Sequence, residues 1–490
     1  MRKLSCLFVF LAVVGLTASA LADVRLPKAF TDNAVLQRDV PVNVWGWADA
    51  GEEVTVSFNG STANAIACEG GKWSVKLPAM AAFCDGKELV VKGKNEIRLQ
   101  NVVVGEVWIC SGQSNMEMPL NSWGQPRLAC SDEEIQGDYS FIRFNRARHE
   151  LGNKPAEDVP SDGWKLCKDG VQASCTACGF HFANRIYKEL GVPVGLIDVN
   201  WGGSNIHSWI PDEGWANVAQ IADFGKTLIV QREADVAKDG KTQYRHAGSM
   251  YYAMLAPWRG YTLRGALWYQ GCSNGGEGET YYFKQKAMIQ EWRKLWGQGD
   301  FPFYWVQLAS FTAPSDNPNE RTGWGTLRDA QTQCLEVANT GQAVTIDIGE
   351  EKDIHPRNKF DVGNRLARWA LAKVYGKNVA CASPIFKSVE YKDGKSRVTF
   401  DNVGGGLVCG RNVERQPLVV EKDGVLNRFA VAGDDGKFFW ADAKIVGKDT
   451  VELSCKDVPA PKAVRYAWQQ NPVGCNLYSA EGLPATPFSK

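Results

Sequence analysis

The sequence predicts an α/β protein: a mostly parallel sheet covered by helices on both faces, flanked by an N-terminal and a C-terminal β domain. Three observations predict it. Between residues 102 and 376, apolar runs alternate with stretches of helical periodicity, the pattern of strands joined by crossover helices. Residues 23–101 and 377–490 instead carry short alternating segments punctuated by Gly, Asn and Asp, the texture of antiparallel β structure. The chain is 490 residues long and 44% hydrophobic, enough for two or three cores rather than one.

The elements follow in order. The N-terminus "MRKLSCLFVFLAVVGLTASALADV" places Arg2 and Lys3 before a short apolar run that ends in Ala20-Leu21-Ala22. This predicts a secretory signal peptide over residues 1–22, and a secreted or periplasmic protein with no membrane span after cleavage. "VNVWGWADAGEEVTVSFNG", "KWSVKLP" and "ELVVKG" predict strands of a β-sandwich-like domain over 23–101. From 102 to 376, "VVVGEVWIC", "VPVGLIDVNW", "LRGALWYQ", "FPFYWVQLA" and "QAVTIDIG" read as strands. "FHFANRIYKELG", "YYFKQKAMIQEWRKLWG", "TLRDAQTQCLEVA" and "FDVGNRLARWALAKVYG" read as helices, the second with Met288, Trp292, Leu295 and Trp296 on one face. "SVEYKDGKSRVTFDN", "GKFFWADAKIVGKDTVELSC" and "AVRYAWQQ" predict a C-terminal β-sandwich over 377–490.

Lys+Arg and Asp+Glu number 55 each, so the balance argues against nucleic acid or an anionic membrane surface as partner and fits a neutral or polar substrate. Without Cys6, 13 of the 14 cysteines remain, so one thiol must stay unpaired within the chain. In an oxidising compartment, Cys68 with Cys84 and pairs among Cys381, Cys409, Cys455 and Cys475 are disulfide candidates. Cys175 and Cys178 of "CTAC" lack the second pair that a zinc site needs, so they read as structural and no metal is expected.

Ligands of open α/β sheets bind beyond the carboxyl ends of the strands. Those ends carry Ser111-Gly112-Gln113-Ser114-Asn115, then Gly202-Gly203-Ser204, then Gly271-Cys272-Ser273-Asn274, then Glu350-Glu351-Lys352-Asp353-Ile354-His355. Serine, glycine, asparagine and an Asp–His pair are the parts of a serine hydrolase. The hydroxyl needs a base, the imidazole needs a carboxylate, and the oxyanion needs fixed donors. Of the five histidines, His181 lies in a helix, His149 in a charged loop, and His207 and His246 in loops that could line a pocket; only His355 follows a strand with Asp353 beside it. Other readings stand beside these. Ser114 is as well placed to be a helix N-cap as a nucleophile, and "GQSN" is not the G-x-S-x-G elbow, since Met116 occupies the last glycine position. "DIHP" also reads as a helix-entry turn capped by Asp353. Gly203 and Asn274 fit ordinary turns.

"VWICSGQSNMEMPL", "GVPVGLIDVNWGGSNIHSW", "LWYQGCSN" and "DIHPRNK" resemble the sialate O-acetylesterase family, a branch of the SGNH hydrolases related to carbohydrate esterase family 6. The resemblance runs over nearly the whole mature chain. It implies a flavodoxin-like, three-layer α/β/α catalytic domain and metal-free, cofactor-free hydrolysis of acetyl esters on sugars. The substrate would be an O-acetylated sialic acid or an acetylated plant polysaccharide such as xylan. Carried over by motif, Ser114 would be the nucleophile and His355 the base. The Ser114 and Gly203 N–H groups and the Asn274 side chain would form the oxyanion hole, and Gln113, Trp201, Gln270 and Cys272 would line the pocket. One position departs: Cys272 stands where the family usually has glutamate. That leaves Asp353 as the acid, with Asp347, Glu350 and Glu351 behind it. It also raises an alternative, a non-catalytic or weakly active carbohydrate-binding protein on the same scaffold.

Overall fold

One long strand organises the molecule. In the computed structural model, which describes residues 23–124, 130–320 and 322–490, β1 (Glu96–Gly112) serves two sheets in turn. Its first part pairs antiparallel with the strand Phe83–Lys92, and Val103–Gly105 pairs parallel with Val35–Gln37. Its last part forms the middle of a mixed sheet with β2 (Tyr139–Ala147), β3 (Ser161–Cys167), β4 (Val194–Asn200), β5 (Gly265–Tyr269), β6 (Phe303–Val306) and β7 (Thr340–Ala343). The order is β7-β6-β5-β1-β4-β2-β3, parallel throughout except for the antiparallel edge strand β3. The boundary expected between residues 101 and 102 therefore falls inside a strand. Side chains alternate with solvent up to Asn101, which bends the strand with φ +57°, and every residue from Val102 to Gly112 is buried.

Period-two alternation divides the core. Trp108 and Cys110 face one side, with Phe182 and Ile186 of α2 (Ala177–Leu190) and Leu366 and Ala370 of α6 (Lys359–Lys373). Val107 and Ile109 face the other, with Met288 and Trp292 of α4 (Thr280–Trp296) and Leu327 and Ala330 of α5 (Gly323–Gln333). The chain thus has a mixed α/β architecture, a mostly parallel central sheet with further β sheets at either end. A short helix, α1 (Ser114–Glu117), follows β1 directly, and α3 (Ala219–Asp239) lies outside the expected set.

Two sequence expectations are corrected here. "QAVTIDIG" stops pairing after Ala343, because Val344 and Ile346 turn into the C-terminal β core with Val398, Phe400, Val451 and Tyr466. The thirteen described cysteines are all free thiols. Cys409 accepts from Asn476 Nδ2 at 3.2 Å and Cys475 faces the Ile346 carbonyl at 3.9 Å, so neither is turned to a sulfur partner. The C-terminal β region is locked on by Arg328, fully buried, whose guanidinium donates to the carbonyls of Leu308 and Ala309 and to those of Gln469 and Gln470. Among the described residues no helix is long and apolar enough to cross a membrane. The expected signal peptide lies outside the described residues.

Candidate active site

β1 emerges between β4 and β5, where the chain order reverses, and the crevice beyond its carboxyl end is the expected ligand position. Gln113, not Ser114, occupies the N-cap of α1, and its side chain makes no cap bond. The cap reading of Ser114 is thereby removed: Ser114 is the first helical residue, and its hydroxyl is free to point elsewhere. It points at His355, with 2.8 Å between Oγ and Nε2. Asp353 Oδ1 sits 3.2 Å from the other ring nitrogen and also accepts the His355 backbone N–H at 2.8 Å. The Asp-x-His spacing lets one carboxylate oxygen hold both the loop and the ring. The reserve acids are occupied or apart: Asp347 forms a bidentate pair with Arg365, and Glu350 accepts the Arg357 N–H.

Burial and the nearby Lys359 ammonium together outweigh Asp353 and lower the His355 pKa below its ordinary 6.5. A neutral ring at physiological pH can take the Ser114 proton. The kcat/KM profile is therefore expected to have an acid limb below pH 6.5, with activity lost as pH falls through it and retained above; a limb above that value contradicts the assignment.

The expected oxyanion groups keep N–H hydrogens without a protein acceptor among the described residues. Among the described residues the backbone N–H groups of Ser114 and Gly203 have no protein acceptor. Gly203 adopts φ +73°, a conformation glycine takes without strain, and a Cβ there would come 3.1 Å from the Tyr244 hydroxyl. The Asn274 carbonyl accepts from Ile206 N–H and Gln270, while its NH2 donates to Glu277 at 2.8 Å, which leaves it a second proton.

Glu277 and Glu117 were not found from the sequence. Burial alone would raise the Glu277 pKa, but the His207 ring 3.3 Å away and the hydrogen-bonded Lys284 ammonium hold it at about 2, a fixed anion that orients Asn274. Glu117 accepts the Gly202 N–H and pairs with Arg146 and His149, steadying the loop that carries Gly203. The only advance signal was position: Glu117 follows Ser114 by three residues and Glu277 follows Asn274 by three.

Two expected pocket residues are buried instead of facing a ligand. Gln113 accepts the N–H groups of Gly271 and Ser273, and Gln270 bridges Ser204, Asn274 and Tyr281, so both amides are used in bracing the loops. Trp201 is half-buried, with one face stacked on His149 at 4.2 Å. Cys272 packs 3.9 Å from Asn115 Nδ2, and burial pushes its thiol up to about 11, far from a thiolate nucleophile. His181, His207 and His246 each face a carboxylate, as His149 does; among the described residues only His355 reaches a serine hydroxyl.

Lys359 opens α6 beneath this site and is 1% exposed. Its ammonium donates to Asn115 Oδ1 and to the Pro356 carbonyl, both at 2.6 Å, and Asn115 Nδ2 donates to the Ile354 carbonyl at 3.0 Å. The carbonyls on either side of His355 are thus tied to the residue after Ser114. Lys359→Met is expected to raise the acid limb, because a positive charge near the imidazole is lost. It is also expected to lower kcat by about tenfold or more as the His355 loop loosens. An unmoved limb in a folded variant would show that Lys359 does not act on His355.

The family model described as "Carbohydrate esterase, sialic acid-specific acetylesterase" matches residues 104–372. The sialate O-acetylesterase of Homo sapiens is 26% identical over 506 residues, covering 95% of this chain and 92% of that protein. The Rattus norvegicus protein of the same name is 25% identical, covering 94% and 93%. The crystal structure of a carbohydrate acetylesterase from Xanthomonas citri superposes with a TM-score of 0.82 at 34% identity, covering 95% of this chain and 99% of that one. The chain therefore belongs to the sialic acid-specific acetylesterase family of carbohydrate esterases, and it is a carboxylic ester hydrolase.

Proposed function

We propose that this protein is a secreted or periplasmic serine esterase that removes O-acetyl groups from carbohydrates, with Ser114, His355 and Asp353 as its triad. The observation that carries the reading is the 2.8 Å contact of Ser114 Oγ with an imidazole whose other nitrogen faces a carboxylate. Ser114 Oγ attacks the acetyl carbonyl as His355 Nε2 takes its proton. The oxyanion is met by the N–H groups of Ser114 and Gly203 and by the free Asn274 N–H. Collapse breaks the ester C–O bond, and His355 returns the proton to the departing sugar oxygen, leaving acetyl-Ser114. Water, deprotonated by His355, then attacks the acetyl carbon; the Ser114 Oγ–acyl bond breaks, His355 returns the proton to Ser114 Oγ, and acetate leaves.

We place this chemistry in a flavodoxin-like, three-layer SGNH domain over residues 102–376, between β-sandwich domains over 23–101 and 377–490; secretion rests on residues 1–22. The substrate is an acetylated sugar, either an O-acetylated sialic acid or an acetylated plant polysaccharide such as xylan. An acetate-release assay across acetylated sialic acids, acetylated xylan and simple acetylated sugars tests it. Release from a member of that panel supports the reading and selects the substrate; release from none of them overturns it.

A further inference from the structure

We propose that Trp123 is the platform on which the sugar ring bearing the scissile acetyl group stacks. The inference rests on the esterase reading above and deepens it by assigning a residue to sugar recognition. The chemistry fixes where that ring must be. When the ester C–O bond breaks, its electron pair goes to the sugar oxygen, and that oxygen takes the proton held on His355 Nε2. The oxygen must then lie within hydrogen-bond reach of the imidazole, with a ring or exocyclic carbon one bond beyond. Whatever surface flanks His355 is the surface the sugar meets.

That surface is Trp123, whose indole stands edge-to-face with the His355 ring at 5.7 Å between centroids. The protein has eighteen tryptophans, all among the described residues, and Trp123 is the only exposed one, at 47%. The others fill cores or, like Trp201, have a face covered by a neighbour. Its exposure is not that of a fraying turn. Leu120 and Asn121 N–H groups donate to the Cys175 and Ala173 carbonyls, and those of Ser122 and Gly124 close back on Pro119 and Asn121. Within that clamp Ser122 has φ +41° and Trp123 φ +56°, ψ +32°. A bulky side chain is disfavoured in the left-handed region, and such outliers persist where the surroundings hold them, characteristically at ligand sites. An indole kept exposed in a disfavoured conformation beside the proton donor offers a flat apolar face. A pyranose offers the matching face of ring C–H groups, and aromatic walls with a few placed polar groups are the usual lining of small-ligand sites.

The test compares an ester with a sugar ring to one without, using peracetylated methyl glucopyranoside and ethyl acetate on the full chain. Trp123→Ala is expected to lower the ratio of kcat/KM on the glucoside to that on ethyl acetate by about tenfold, mainly through KM. Trp123→Phe is expected to restore most of the ratio, whereas Trp123→Leu, which keeps apolar bulk without a π face, is not. A ratio within about twofold of wild type in both the alanine and leucine variants overturns the platform, including the outcome in which both esters slow equally because Trp123 only supports His355. Wild-type protein that hydrolyses neither ester overturns the esterase reading itself, and the platform falls with it.

Discussion

Ser114→Ala is expected to lower kcat on any acetyl ester by at least about 10⁴-fold, because removing the nucleophile of a triad costs nearly as much as removing the whole triad. The structure gives this a sharp alternative. A free thiol, Cys272, lies close by, 3.9 Å from the side chain of Asn115, the residue after Ser114, and thiolates are stronger nucleophiles than hydroxyls. Burial, however, pushes that thiol up to about 11, so near neutral pH it is almost entirely protonated. Cys272→Ala should therefore cost far less than Ser114→Ala. Mass spectrometry of protein quenched during turnover should find the acetyl group on the peptide containing Ser114. Persistence of most activity in Ser114→Ala, or acetyl label on Cys272, would falsify the serine mechanism. The alternative of a sugar-binding protein with impaired catalysis predicts no turnover in wild type and retained binding. The assembled Ser114–His355–Asp353 contacts argue against it, because Asp353 supplies the carboxylate contact that Cys272 cannot.

What could be read in the sequence depended on whether an element answers to a local pattern or to a distant one. The parallel strands β4, β5 and β6 are apolar because they are buried on both faces, and α4 and α6 carry clear stripes, so each announced itself. α3 did not: of its residues only Ile221, Gly225 and Arg232 are buried, too few to mark a face over Ala219–Asp239. β2 and β3 pair with two register shifts, which breaks the alternation that marks a strand. In "QAVTIDIG" the apolar residues after Ala343 are real, but their partners belong to the C-terminal β core, a fact with no local trace. The site divides the same way. Ser114, Gly203, Asn274 and His355 were legible as candidates because each follows an apolar run and the family resemblance named it. The bracing bonds of Gln113 and Gln270 were not legible, because a buried amide that braces loops and an amide that faces a ligand have the same letter and the same neighbours. Glu277 was passed over because "GGEGE" reads as solvent-exposed loop, and only the fold reveals the three partners that make its charge fixed.

Replacing Asp353 separates two jobs that one carboxylate oxygen performs. Asp353 Oδ1 holds the His355 backbone N–H at 2.8 Å and faces ring Nδ1 at 3.2 Å. Asparagine can keep its carbonyl oxygen in the same place, so Asp353→Asn preserves the positioning and removes the charge. Alanine removes both. The charge stabilises the imidazolium that forms in each half-reaction, and loss of it in a buried triad costs about 10⁴-fold. Here both side chains are about a third exposed, 27% for His355 and 33% for Asp353, and water supplies part of what the carboxylate supplies. Asp353→Asn is therefore expected to lower kcat by about 10²–10³-fold, less than in a buried triad, with Asp353→Ala lower still. The pH profile gives the independent reading. Asp353 raises the His355 pKa against burial and Lys359, so its removal should move the acid limb further below 6.5 even as the plateau drops. Lys359→Met should move the same limb the other way. Opposite displacements of one limb by two neighbours of His355 identify the titrating group as His355, since a carboxylate elsewhere would not answer to both. Near-normal turnover in both Asp353 variants would remove Asp353 from the mechanism and leave an imidazole working with solvent alone on its far side.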